Sequence, residues 1–276
     1  MNLIRSTLDL DSRVQVMGVL NVTPDSFSDG GQFDDVNRAV DRAFEIEAEG
    51  AQIIDVGGQS TRPGSKPISA ETELVRVMPV LERLSGQLRI PISIDTARSA
   101  VARAAVEWGA ELINDISGLR FDPELAEVAV QTGAGLVLMH SRGTAETLHK
   151  QPAVKEILSE VVSGLRESVE KAQARGVRRE KIVIDPGIGF GKTPEQSMTV
   201  LARLAELQSF GLPLLVGASR KRFISTVTPS EPHQRLGGSI AAHLLAAQNG
   251  ARIIRAHDVV ETIQALRVAA AIREQG

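Results

Sequence analysis

The chain has 276 residues, 42% of them hydrophobic, which fits a globular protein with a large core. Its net charge of −3 and the lack of a basic block disfavour nucleic-acid binding driven by phosphate neutralisation, and the absence of cysteine excludes disulfides and thiolate metal sites. Because the N-terminal residues lack a long apolar segment and no later run reaches transmembrane length, we expect a cytoplasmic protein that contacts no membrane.

Short runs rich in Val, Ile and Leu recur about every thirty residues and predict strands. In chain order they read VMGVLN, QIIDVGG, IPISIDT, ELINDIS, GLVLMH, KIVIDPG, LPLLVGASRK and RIIRAHD. Segments with helical spacing lie between them, and three of these end near Gly50, Gly109 and Gly176. The alternation predicts a (β/α)₈ TIM barrel, with an open doubly wound sheet as the competing architecture. Since no linker divides the chain, we expect one domain over residues 1–276.

Nearly every predicted strand ends in a polar or charged side chain. These residues are Asn21, Asp95, Asn114, Asp115, His140, Asp185, Ser219, Arg220, Lys221, Arg255 and His257. In a barrel, the carboxyl ends of the strands share one rim, which is where active sites lie. Asp, Asn and Ser also favour helix N-caps, so any one of them alone is more simply a capping residue. Lys, Arg and His are poor caps, and the whole set therefore favours a functional rim.

The types of site that this rim could form are limited. The histidines lack HExxH-like spacing, and PGIGFGKT fails the P-loop pattern because Pro186 replaces its first glycine, so we interpret it as a glycine-rich strand-to-helix loop. The carboxylates and the amide could read a flat heterocycle of mixed donors and acceptors. Arg62 and Arg255 are suited to phosphate oxygens. The residues alone thus predict a heterocyclic substrate that carries a phosphate group.

A polar loop from Val22 to Gly31 follows the first strand and contains one aromatic residue, Phe27. A solvated turn needs no phenylalanine. We therefore expect this loop to lie at the rim and to fold over the site.

The strand-end motifs resemble, in order, those of the dihydropteroate synthase family along essentially the whole chain. They are MGVLNVTPDSFSDGG, IIDVGGQSTRPG, ISIDT, INDISG, VLMH, IDPGIGFGKT, LLVGASRKRF and RAHD. The resemblance implies an enzyme that joins p-aminobenzoate to a 7,8-dihydropterin carrying a pyrophosphate, which leaves as dihydropteroate forms. It also implies a Mg²⁺ cofactor, two loops that close as lids, and a homodimer, the usual state of the family.

The resemblance also implies which residues form the site. Those for the pterin are Thr61, Asp95, Asn114, Asp185, Phe190, Lys221 and Arg255. Those for catalysis are Arg62, Lys221, Arg255 and His257. Those for p-aminobenzoate and the lid loops are Phe27, Thr61, Arg62, Pro63 and Arg222. Asn21 is implied to ligate Mg²⁺ together with the pyrophosphate.

Two positions depart from the family's pattern, and two rival functions remain open. Gln59 stands where Glu is common, and Arg222 stands where a Ser can bind the benzoate carboxylate, which leaves the backbone N–H for that role. The rivals are a corrinoid-linked methyltetrahydrofolate methyltransferase and a non-catalytic pterin-binding paralogue. The motifs NVTPDSF, STRPG and SRK favour the synthase, because they serve a pyrophosphate and a second substrate.

Overall fold

A computed structural model describes residues 1–23, 32–60, 64–148 and 150–275, without the side chains of residues 32–34. Within these residues, eight parallel strands form a closed barrel whose spatial order is the order of the chain. The strands are β1 (Gln15–Asn21), β2 (Ile53–Gly57), β3 (Ile92–Asp95), β4 (Ala110–Asp115), β5 (Gly135–Met139), β6 (Ile182–Asp185), β7 (Leu214–Val216) and β8 (Ala251–Ala256). The predicted (β/α)₈ barrel is confirmed.

Helices follow the strands and cover the outside of the barrel. They are α1 (Gln32–Ala48), α2 (Ala70–Leu84), α3 (Ser99–Glu107), α4 (Leu125–Thr132), α5 (Ile157–Ala174), α6 (Pro194–Ala202), α7 (Arg222–Val227), α8 (Leu236–Gln248) and α9 (Val259–Arg273). Local sequence fixes several helix ends. For example, Thr193 and Gln196 form a capping box in front of Pro194 at the start of α6. None of the described helices is long and apolar enough to cross a membrane.

Apolar side chains fill the interior of the barrel on the side of the strands' amino ends. One residue from each strand except β3 contributes to this buried cluster: Met17, Ile53, Leu112, Val137, Val183, Leu215 and Ile253. Leu3, Leu8 and Leu10 of the N-terminal segment join it. Lys181, just before β6, donates to the carbonyl of Leu3 at 3.5 Å and so holds the segment at the amino ends of the strands. This end of the barrel is a packed core, and the other end is left for chemistry.

The strand register places the polar residues at one level. Asn21 pairs with Gly57, Gly57 with Asp95, and Asp95 with Asn114 across the first four strands. On the opposite wall, Asp185 pairs with Met139. Because all strands run in parallel, these positions lie at the carboxyl rim of the barrel, as the sequence pattern predicts.

Candidate active site

Arg255 of β8 links the buried carboxylate of Asp55 to the partly exposed carboxylate of Asp95 across the mouth of the barrel. Its Nε donates to Asp55 Oδ2 at 2.6 Å, and its Nη2 donates to Asp95 Oδ2 at 2.9 Å. Asn114 Nδ2 donates to the same Asp55 oxygen at 3.0 Å. Asp55 is fully buried, and its second oxygen, Oδ1, has no hydrogen-bond partner among the described residues. Four strands therefore contribute to one hydrogen-bonded cluster.

The charges of this cluster strongly perturb one another. Burial raises the pKa of Asp95 to about 7, although Arg255 and Lys221 act in the opposite direction. Burial by itself would lower the pKa of Arg255, but Asp55 and Asp95 outweigh it and the pKa is raised. The guanidinium is thus fixed as a cation, while one neighbouring carboxyl titrates near neutrality. Such perturbation by burial and by specific charge partners is typical of functional residues.

Asp185, Lys221 and Phe190 lie together on the wall formed by β6 and β7. Asp185 Oδ1 accepts from the N–H of Gly187 at 2.7 Å, and burial raises the pKa of this carboxyl. Lys221 Nζ donates to the carbonyl of Ile188 at 2.7 Å and lies 4.1 Å from the centroid of the Phe190 ring. Burial lowers the pKa of Lys221 to about 8, although the charge of Asp185 acts in the opposite direction. The wall therefore presents an acceptor, an ammonium and an aromatic face.

His257 follows β8 and is held by Ser219, which follows β7. The distance between His257 Nδ1 and Ser219 Oγ is 2.9 Å, and the N–H of His257 donates to the same hydroxyl at 3.2 Å. Arg220, between Ser219 and Lys221, has a φ of 57° and pairs through two nitrogens with Asp258. The ends of β7 and β8 are thus tied together by two residue pairs, Ser219–His257 and Arg220–Asp258.

Asn21 ends β1 and is partly exposed. Its neighbour in the sheet, Gly57, has no side chain, and a Cβ there would lie 3.4 Å from the Cβ of Asp95. In the described part of the chain, no group of three or more His, Cys, Asp and Glu side chains could hold a metal ion. Mg²⁺ does not need such a cage, because it is commonly held by one or two protein oxygens and substrate phosphates. A single carboxamide oxygen at the rim fits that mode of binding.

Gln59 belongs to a network behind the loop that follows β2. Arg98 Nη1 donates to Gln59 Oε1 at 2.9 Å, and the same guanidinium pairs with the buried Glu73 and with the carbonyl of Ile68. Arg98 therefore fastens both ends of this loop. With glutamine at position 59, the Arg98 guanidinium faces one carboxylate, that of Glu73, instead of the two that a glutamate at position 59 would give.

The structure brings together most of the sequence-predicted residues that it describes. Phe27, Thr61, Arg62 and Pro63 lie outside the described residues. Arg222 is the first residue of α7, and its side chain is exposed. The interpretation of PGIGFGKT as a strand-to-helix loop is confirmed, since it connects β6 to α6.

Sequence reasoning missed Asp55. It lies inside an apolar strand instead of at its end, so the search for polar strand ends passed over it. The available signal was a carboxylate within a run otherwise made of Ile, Val and Gly. Asp55 lies two residues after Ile53, on the face of β2 that points into the barrel, and its buried carboxylate needs a partner there.

The cluster suits a flat, polar heterocycle. Carboxylate oxygens at Asp55 and Asp185 accept N–H bonds, while Asn114 offers both a donor and an acceptor. Lys221 and Arg255 add positive charge next to the same floor. The arrangement can bind a ring of mixed donors and acceptors and can stabilise negative charge that develops beside it.

Known proteins resemble this chain over nearly its whole length. A family model described as pterin binding enzyme matches residues 17–257. The dihydropteroate synthase of Synechocystis sp. is 45% identical over 97% of this chain and 93% of its own length. That of Escherichia coli K12 is 45% identical over 95% of this chain and 93% of its own.

Solved structures agree with these relatives. Dihydropteroate synthase of Clostridium difficile, crystallised in the presence of pteroic acid, has a TM-score of 0.91 and 44% identity, covering 96% of this chain and 99% of its own. The Xanthomonas albilineans enzyme in complex with 7,8-dihydropteroate has a TM-score of 0.87 and 42% identity, covering 96% of this chain and 95% of its own. At this identity the similarity extends beyond the fold.

Proposed function

Because this chain belongs to the family of pterin-binding enzymes, we propose that it catalyses the synthesis of dihydropteroate. The reaction joins p-aminobenzoate to (7,8-dihydropterin-6-yl)methyl diphosphate and gives 7,8-dihydropteroate and pyrophosphate. The chain is thus a transferase enzyme. The observation that carries the proposal is the Asp55–Arg255–Asp95 cluster at the barrel mouth, in a chain 45% identical to dihydropteroate synthases.

We propose that the buried polar groups read the edges of the pterin. Asp185 accepts from the amino-pyrimidine edge, where a carboxylate can take two N–H bonds. Asn114 and Asp55 meet a neighbouring edge, which gives Asp55 Oδ1 the hydrogen bond that it lacks among the described residues. Asp95 belongs to the same floor. Lys221 meets the ring carbonyl and nitrogen, and Phe190, already stacked with this ammonium, borders the ring.

The difficult step is the departure of pyrophosphate, because the arylamine is neutral at pH 7 and needs no strong base before it attacks. As the N–C bond forms, the C–O bond breaks, its electron pair leaves on the pyrophosphate oxygen, and the amine releases one proton to solvent. Arg255 and His257 lie at the end of β8, where we propose that they meet the negative charge of the leaving group. Asn21 would hold Mg²⁺ with the pyrophosphate, and the ion supplies further charge neutralisation there.

The second substrate and the lids are proposed from the sequence. Phe27, Thr61, Arg62 and Pro63 lie outside the described residues, and their roles at p-aminobenzoate and in loop closure remain predictions. Arg222 is described and exposed at the start of α7, next to Lys221. Its backbone N–H can donate to the benzoate carboxylate, and its positive charge attracts the same group.

The assembly, the domain assignment and the location are also proposals. A homodimer is supported by exposed apolar side chains on the last three helices, among them Val227, Leu245 and Ile272, which are 68%, 54% and 68% exposed. Light scattering at several concentrations tests it, and a monomer throughout would contradict it. We further propose that residues 1–276 form a single cytoplasmic domain.

Pyrophosphate release, measured with and without p-aminobenzoate, tests the proposed reaction. We expect release that requires the amine and yields dihydropteroate in equal amounts. Pterin binding without release would instead indicate a non-catalytic binding protein. Methyl transfer from methyltetrahydrofolate to a corrinoid acceptor would indicate the methyltransferase.

A further inference from the structure

A buried lysine that the proposed reaction does not use lies behind the loop between β6 and α6. The side chain belongs to Lys192, which is 9% exposed. Its Nζ donates to the carbonyls of Gly187 at 2.9 Å, Phe190 at 3.3 Å and His140 at 3.3 Å. It also lies 2.9 Å from His140 Nδ1. One ammonium group thus joins the end of β5 to two points of the loop that follows β6.

His140 is held as a neutral ring beside this lysine. Burial, together with Lys192 and nearby arginines, lowers the pKa of His140 to about 2. The ring also has a fixed position, because a Cβ on Gly164 of α5 would lie 2.6 Å from its Cδ2. Burial lowers the pKa of Lys192 itself to about 7, with Asp185 and Glu160 acting against this shift and Lys221 and Arg142 acting with it. Keeping an ammonium in such a place has a cost, which its carbonyl partners offset only in part.

The loop has little freedom to follow another path. Gly187 has a φ of 65°, and a Cβ on it would lie 1.9 Å from the carbonyl oxygen of His140. Gly191 has a φ of 68°, and a Cβ there would lie 2.5 Å from the Cβ of Arg142. Only glycine fits such close backbone approaches. The loop is therefore packed directly onto the end of β5, around the Lys192 ammonium.

The same loop carries the aromatic residue and the carbonyl that orient Lys221. Lys192 holds the carbonyls of Gly187 and Phe190, and Lys221 donates to the carbonyl of Ile188 between them at 2.7 Å. The Phe190 ring lies 4.1 Å from the Lys221 ammonium. Loss of the Lys192 side chain would therefore release the carbonyls of Gly187 and Phe190 and so alter the positions of Phe190 and Lys221.

We propose that Lys192 is a positioning residue for pterin binding, which fixes residues 187–190 and thereby sets Phe190 and Lys221. The proposal rests on the proposed function, because it takes Phe190 and Lys221 as pterin contacts. Because Lys192 is buried behind the loop, we place it out of contact with both substrates. Its loss should affect the pterin far more than p-aminobenzoate, which we place on other loops.

A matched control lies at the other end of the same strand. Lys181 is 7% exposed and donates to the carbonyls of Gly133 at 2.7 Å and Leu3 at 3.5 Å, at the amino end of β6. Like Lys192, it is a buried lysine that binds backbone carbonyls. Unlike Lys192, it lies on the side of the barrel away from the rim.

The experiment compares Lys192→Met with Lys181→Met in the full chain. Calorimetry with 6-hydroxymethylpterin, steady-state KM values for both substrates, and thermal melts are measured on each. We expect Lys192→Met to weaken pterin binding about tenfold or more, as the loss of charge-assisted contacts would. Its KM for p-aminobenzoate should change less than about threefold, and Lys181→Met should lower the Tm with pterin affinity within about twofold of wild type.

Two results would overturn the proposal. One is wild-type pterin affinity in Lys192→Met. The other is a loss that matches the control, with both substrates affected alike and in proportion to the fall in Tm. If Lys192→Met does not fold, Lys192→Gln, which keeps two N–H donors, is judged by the same criteria. A wild-type protein that binds no pterin and releases no pyrophosphate would refute the proposed function instead.

Discussion

Individual residues at the barrel mouth stabilise the fold because each compensates the charge of a neighbour. Arg255 is the shared partner of Asp55 and Asp95, which lie on two other strands. Removing one partner of a buried ion pair costs about 3–5 kcal/mol, because the other charge is left uncompensated. The residues that we propose for pterin recognition are therefore also residues on which the local structure depends. Binding and stability must be measured together for each variant.

We predict that Asp185→Asn binds pterin more weakly by about 1.5–3 kcal/mol, because an amide replaces one carboxylate acceptor with a donor. Titration calorimetry with a pterin analogue measures this loss. Asp115→Asn is the matched control: Asp115 is also a buried carboxylate, but it accepts from Ser117 and Leu119 within its own loop. It should lose stability and keep its affinity. Unchanged affinity in Asp185→Asn would make Asp185 a turn residue only.

The titration of Asp95 predicts a pH dependence of stability. Burial raises its pKa to about 7, whereas an unfolded aspartate titrates near about 3.9. Between these values the folded protein keeps a proton that the unfolded chain has released. The contribution of Asp95 to the free energy of unfolding therefore falls as pH rises, by at most about 1.4 kcal/mol per pH unit.

Comparison with Asp95→Asn isolates this contribution. His140 acts in the opposite direction at acidic pH, because its lowered pKa makes the unfolded chain the stronger proton binder. Urea unfolding of wild type and Asp95→Asn from pH 5 to 8 removes that common term. The free energy of unfolding of wild type minus that of Asp95→Asn should fall up to about pH 7 and then level off. A constant difference would show that Asp95 is ionised throughout.

At the scale of elements, the last two strands are joined by residues that follow them. Ser219 holds His257, and Arg220 pairs with Asp258 one position further on. Arg220 adopts a left-handed conformation, with a φ of 57°. This conformation turns the chain between Ser219 and Lys221. The ion pair therefore maintains a backbone arrangement that a non-glycine residue would otherwise avoid.

Two substitutions of Arg220 separate the ion pair from the backbone conformation. Arg220→Ala and Arg220→Gly both remove the contact to Asp258, but only glycine tolerates this φ without strain. We predict that the alanine variant is less stable than the glycine variant by about 1 kcal/mol. Both should raise the KM for the pterin substrate. Urea unfolding measures the difference, and equal stabilities would show that the conformation is not strained.

Over the whole molecule, stability and recognition occupy different ends of the barrel. The apolar cluster around Leu112, Met17 and Val137 fills the interior, and the polar cluster around Arg255 lies at the carboxyl rim. Such a division lets the rim carry buried charge while packing elsewhere supplies stability.

We predict that Leu112→Ala destabilises the protein by about 2–5 kcal/mol, because it leaves a cavity in a fully buried layer. The KM values of the folded fraction should not change. Val75→Ala, at a side chain of α2 that is 57% exposed, should stay within about 0.5 kcal/mol of wild type as the control. Chemical denaturation with parallel kinetics checks both. A large change in KM in Leu112→Ala would mean that the two ends are coupled.

Much of the candidate site could be predicted, since polar residues at strand ends are visible in the chain. Asp95, Asn114, Asp185 and Arg255 all follow this pattern, and the register brings them to one level. Asp55 and Lys192 could not be found in this way. Asp55 lies within a strand, where a lone carboxylate in an apolar run is its only signal, and Lys192 lies in a loop without a local signal of its own.

The sequence by itself determined the eight strands and the polar rim, because apolar runs and their polar ends are local properties of the chain. Only the tertiary structure decided which charges meet. Asp55 and Arg255 are 200 positions apart, and their contact exists because the barrel closes between β8 and β1. Likewise, Lys192 meets His140, 52 positions away, since β5 and β6 are neighbours. The local sequence pattern specifies the strands and helices, whereas barrel closure and strand register specify which buried charges become partners. These partners matter because burying a charge without one is costly.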